Sequence, residues 1–131
     1  MSTAASPRYP SGRPMNNVEL VDAICASSPV LRDACRVHRG TFGTLVPHVF
    51  MSDVLARVGA CLQIGGAHAL REHGPELEGI LAALECGMAA GDRETRNVIS
   101  ISFANDGELE LFFDDLRPLL GPRIRAQLQG K

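Results

Sequence analysis

From Asn16 onward the apolar residues recur at three- and four-residue intervals, the period of an amphipathic helix. Val18, Val21 and Cys25 fall at i, i+3 and i+7, with Asn16 or Asn17 placed to cap the segment. Ser27-Ser28-Pro29 ends this helix and opens a second, Ser28 as N-cap and Pro29 in the first turn, where a missing N–H costs nothing. The second helix runs to about Arg39, with Leu31, Ala34, Cys35 and His38 on one face and Arg32, Arg36 and Arg39 in a basic stripe on another. After the loop Gly40 to Gly43, Pro47 begins a third helix whose face is Phe50, Val54, Val58 and Cys61, and this helix is expected to be central. Gly65-Gly66 predicts its end, and an irregular connection to Gly74 follows. Pro75 opens the most regular helix, with Leu77, Ile80, Leu81, Leu84 and Met88, and Gly91 closes it.

Between Asp92 and Leu116 two periods compete. Ile99, Ile101 and Phe103 alternate with Ser100 and Ser102, and Asp106-Gly107 could turn a hairpin. Against this, Leu109, Phe112, Phe113, Leu116 and Leu120 keep the helical period, and a strand would leave Phe112 on the polar side. Two helices joined at Asp106-Gly107 are therefore preferred, with Pro118 ending the second and Gly121-Pro122 starting a short last one on Ile124 and Leu128. The fold expected is all-α, an irregular bundle of about six or seven helices. Residues 75–90 and 92–105 resemble a HEAT/armadillo-like helical hairpin, although no second copy occurs at a fixed period. Residues 1–15, rich in Pro and Ser, read as a disordered tail ahead of a single helical domain over 16–131.

Composition narrows the function classes. The chain has 131 residues and a formal net charge of −2, which argues against general nucleic-acid binding. The longest stretches without a charged residue, Gly40 to Ser52 and Val58 to Leu70, are 13 residues, too short to cross a bilayer. The first residues have no apolar core of a secretory signal, so a cytoplasmic location is expected. Arg supplies all the basic residues but Lys131, a skew that reads as genomic background.

Four cysteines, Cys25, Cys35, Cys61 and Cys86, show no C-x-x-C pair, so they are expected to be reduced, buried hydrophobes, with no structural metal and no cofactor. The sharpest metal reading joins Cys35 and His38 to a distant His48, His68 or His73, and no second ligand pair supports it. No catalytic motif is present. His48, Asp53 and Glu85, with Glu78 one heptad before Glu85, could line a pocket in a small helical enzyme or ligand-binding regulator. The charge layout is more informative. Asp106, Glu108, Glu110, Asp114 and Asp115 form a carboxylate run without a basic residue, whereas residues 1–40 carry five Arg against three acids. Aligned as an EF-hand, the run places Phe113 where Glu is required, so the run is not an EF-hand loop. A solvated helix face explains the spacing, and such a face can also bind a basic protein surface.

Three blocks, LVPHVFMSDV (Leu45 to Val54), LECGMAAGDRETRNVISISF (Leu84 to Phe103) and LRPLLGP (Leu116 to Pro122), resemble a family of small bacterial all-helical proteins of the immunity type. Its marks are a Pro-His pair opening a helix, Leu-Glu followed by Gly-Asp, and Ser-Phe followed by an apolar residue and a carboxylate. Here the last is Ala104-Asn105, which departs from the pattern and puts a carboxylate role there in doubt. The resemblance covers the last two-thirds of the chain and supplies no catalytic residues. It implies a non-enzymatic protein that neutralises a cognate toxin by direct binding, and the charge layout, independently of the resemblance, makes the carboxylate run the expected contact surface.

Overall fold

The computed structural model describes residues 13–65, 69–103 and 116–129. It is an all-α bundle: α1 (Asn17–Ser27), α2 (Pro29–Phe42), α3 (Pro47–Gly65), α4 (Ala69–Ala90), α5 (Arg93–Asn97) continued by a π-helical segment (Val98–Phe103), a 3-10 turn (Arg117–Leu119) and α6 (Pro122–Gln129). No strand occurs among the described residues, and no helix there is long and apolar enough to cross a membrane.

Local chemistry sets the first two helices. The Asn16 side chain accepts from the Glu19 N–H while the Glu19 carboxylate accepts from the Asn16 N–H, a reciprocal capping box. Ser28 caps α2 by accepting from the Leu31 N–H, with Pro29 in the first turn. The buried face of α1 is Leu20, Val21, Ile24 and Cys25, whereas Val18 is 48% exposed and not on the core face. Val18 and Leu20 lie about 200° apart around a helix, so only one can face inward, and the bundle buries Leu20.

Met15 corrects the expected extent of the tail. It is 2% exposed, its N–H donates to the Ala90 carbonyl (2.8 Å), and its carbonyl accepts from the Asp92 N–H (2.9 Å). One buried apolar side chain and two backbone hydrogen bonds thus hold the segment before α1 against the α4–α5 junction.

The expected start of the fourth helix at Pro75 is also corrected. α4 begins at Ala69 and runs through Gly74 and Pro75. The proline removes one backbone hydrogen bond from the helix without ending it, and Leu77, Ile80, Leu81 and Leu84 beyond it are buried. α4, rather than α3, is the hub: it packs against α1, α3, α5, the π segment and α6. Close approach to α1 is possible because Gly79 has no side chain. A Cβ there would lie 2.0 Å from Ser27 Oγ and 2.3 Å from Ser27 Cβ.

Ile99 and Phe103 are buried and Ile101 is 60% exposed, on a helical segment that reaches Phe103, so the strand reading of 98–103 fails. Asp92 caps this segment through the Thr95 N–H at 2.8 Å. The choice between helix and hairpin after Phe103 lies outside the described residues.

Candidate functional site

Where α1 passes into α2, the chain lays Ser28 against α3 and α4, and five polar or thiol side chains meet there. Ser28 is fully buried; Arg57 and Cys61 come from one face of α3, and His73 and Glu76 from one face of α4. Arg57 grips the Glu76 carboxylate with both arms, Nε donating to Oε2 at 2.8 Å and an NH2 group donating to Oε1 at 2.9 Å. The Ser28 hydroxyl donates to Oε2 at 2.5 Å while its oxygen caps α2, so one serine joins a helix start to an ion pair 48 positions along the chain. The Cys61 thiol points at Oε1 from 4.0 Å.

The electrostatics follow from these contacts. The Arg57 hydrogen bonds hold the Glu76 carboxyl below the usual carboxylate range, with further help from Ser28 and His73 against a cost from burial. In return the carboxylate raises Arg57 above its ordinary value. Burial pushes the Cys61 thiol up, and the adjacent Glu76 charge adds to it. Cys25 is pushed up to about 12, first by burial and then by neighbouring Cys35, and Cys86 is raised by burial. Raised thiols stay protonated near neutral pH, so Cys25, Cys61 and Cys86 are poor nucleophiles as they stand.

The residues singled out from sequence are dispersed. His48 is exposed in the first turn of α3 and shares a hydrogen bond with the Ser102 hydroxyl on the π segment. Asp53 is half-buried further along α3, and Glu78 is exposed on α4. Glu85 accepts from the backbone N–H groups of Arg123 (3.0 Å to Oε2) and Ile124 (3.0 Å to Oε1), which makes it the anchor of α6. An open groove of about 450 Å³ runs beside Glu85, lined by Leu81, Cys86, Leu119, Gly121 and Arg123, and neither His48 nor Asp53 reaches it. Two of the three side chains expected to share a pocket, His48 and Glu85, are engaged with partners on different elements. Cys35 and His38 do not form half of a metal site either. His38 is buried, its Nε2 accepts from the Val46 N–H at 2.9 Å, and its ring packs on Phe42 and Phe50. Asp106, Glu108, Glu110, Asp114 and Asp115 lie outside the described residues.

Sequence reasoning missed the Ser28–Arg57–Glu76 cluster because its members come from three separate segments. The one available signal was a lone arginine, Arg57, amid the apolar run of α3, which needs a counter-charge if it faces inward. Comparison with protein families, with characterised proteins and with solved structures finds no match.

Proposed function

We propose that this chain is a non-enzymatic protein-binding domain of the immunity type, which neutralises a toxin by covering it with a helical surface. The observation that carries the reading is the outer surface of α2. Val30 and Val37, seven residues apart on one flank, are 49% and 57% exposed, and Phe42 at the end of the helix is 51% exposed. Arg32, Asp33 and Arg36 lie beside Val30, Arg36 ion-paired with Asp33 and an Arg32 NH2 group donating to the Cys25 carbonyl at 3.3 Å. Exposed branched and aromatic side chains beside a polar rim of mixed charge are the composition of a protein contact surface, and they ask for a partner that offers an apolar centre with polar edges. The carboxylate run Asp106 to Asp115, read from the sequence, is the second, acidic contact in the same proposal.

The test begins with gene order, where the proposal expects a toxin gene beside this one, and continues with the two products co-purified. Val30→Asp with Val37→Asp, and separately Glu108→Lys with Glu110→Lys and Asp114→Lys, are then compared for affinity by calorimetry. A loss of about 2 kcal/mol or more from the valine pair, with an unchanged thermal melt, supports the α2 surface. If the two products form no complex, or if neither set alters affinity, the proposal fails.

A further inference from the structure

We propose that Cys61, His73 and Glu76 form a site for a zinc-class divalent ion that ties α3 to α4, with water as the fourth ligand. One ligand atom from each residue lies within 4.8 Å of the other two. His73 and Glu76 are one helical turn apart on α4, so both can address the same point, and Cys61 faces them across the α3–α4 contact.

The hydrogen bonds of Glu76 are what favour an ion over a plain ion pair. A carboxylate has about four lone-pair positions. Oε2 uses two, on Ser28 Oγ and Arg57 Nε, and Oε1 uses one, on the Arg57 NH2 group. The remaining position on Oε1 is the one the Cys61 thiol approaches at 4.0 Å. Arg57 and Ser28 thus hold the carboxylate while leaving the Oε1 position approached by Cys61 unoccupied, the arrangement in which outer hydrogen bonds orient a metal ligand. The ion takes the place of the thiol proton. As the sulfur–metal bond forms, the S–H bond breaks and the proton leaves to solvent, with no change in oxidation state.

Ligand type selects the ion. Thiolate with imidazole suits zinc and disfavours magnesium or calcium. Metal–ligand bonds of about 2.0–2.3 Å require ligand atoms roughly 3.3–3.8 Å apart, so the widest pair must close by about 1 Å. A torsional adjustment of His73, which is only half-buried, provides that. The expectation of no metal from cysteine spacing fails to reach this trio, because its members come from two helices.

The test uses the full chain, reduced, free of any purification tag and stripped by a chelator, with cobalt(II) as probe. One equivalent of cobalt is expected to produce a thiolate-to-metal charge-transfer band and tetrahedral d–d bands, both abolished by zinc. Cys86→Ser retains the bands, Cys61→Ser loses the charge-transfer band, and His73→Ala binds at least about tenfold more weakly. Should Cys61→Ser fail to fold by circular dichroism, His73→Ala and Cys86→Ser decide the matter. No thiolate band with cobalt in excess, a band lost in Cys86→Ser, or full affinity in His73→Ala overturns the proposal.

Discussion

Gly121 lies against the carboxylate of Glu85, so close that a Cβ on Gly121 would stand 2.4 Å from the carboxyl carbon. The missing side chain lets a residue of α4 act as cap for α6, where its negative charge meets the N-terminal N–H groups of Arg123 and Ile124. Gly121→Ala and Glu85→Ala should each lower unfolding free energy by about 1–2 kcal/mol in urea titrations. The two losses should not add, because each breaks the same cap. Additive losses would show that the two residues act separately.

Arg57 and Glu76 are 21% and 15% exposed at their side chains, so removing one partner strands a charge in a poorly hydrated place. Arg57→Met is expected to cost about 2–3 kcal/mol, below the ~3–5 kcal/mol of a fully buried pair because water still reaches the edge. Arg57→Met with Glu76→Leu should recover much of that loss, since two apolar groups leave no unpaired charge. A double variant that melts no higher than the single one would contradict this account.

The same pair predicts an acid limb to stability. Glu76 is held below its ordinary value in the folded chain, so the folded state binds its proton less readily than the unfolded state does. The contribution is complete above the unfolded carboxyl value, near 4.5, and is lost as pH falls through the lower folded value. Denaturation midpoints of the native chain and Glu76→Gln, measured from about pH 7 downward, should converge in acid. A gap that stays constant with pH would place the stabilisation elsewhere.

The α1–α4 approach predicts the effect of filling Gly79. Gly79→Ala sets a methyl group where Ser27 Oγ and Cβ already stand, and a loss of roughly 1–3 kcal/mol is expected. Adding Ser27→Gly vacates both atoms and should restore part of the melting temperature. If it restores none, the helices are held apart by another contact.

Thiol accessibility should divide the four cysteines. Cys86 is half-buried beside the open groove, whereas Cys25, Cys35 and Cys61 are buried. Alkylation of the native chain followed by mass mapping should label Cys86 first and the others only as denaturant is added. Early labelling of Cys25 would be inconsistent with its burial beside Cys35.

Much of the helical layout was legible without coordinates, for local reasons. Ser28 and Pro29 mark the α1–α2 break, the period of Phe50, Val54, Val58 and Cys61 marks α3, and that of Leu77 to Leu84 marks the core of α4. The errors share one cause. Val18 and Pro75 each present a local pattern that the tertiary structure overrides: Leu20 faces the core in place of Val18 and α4 runs on through its proline, whereas the helical reading preferred over the Ile99–Phe103 alternation holds through Phe103, with Ile101 facing solvent. The site was less legible still. His48 and Glu85 stood out as titratable groups at helical positions, yet each is committed to bracing a neighbour, Ser102 and α6 respectively.

The amino-acid sequence alone determined that this chain is helical, where most of its helices lie and which faces are apolar, because capping, proline placement and periodicity act over a few residues. Only the tertiary structure decided that α4 is the hub, that Met15 belongs to the core, and that Ser28, Arg57, Cys61, His73 and Glu76 converge. Those residues are separated by as many as 48 positions, and no local preference relates them. A buried carboxylate must find its donors wherever packing brings them, and packing is a property of the whole chain.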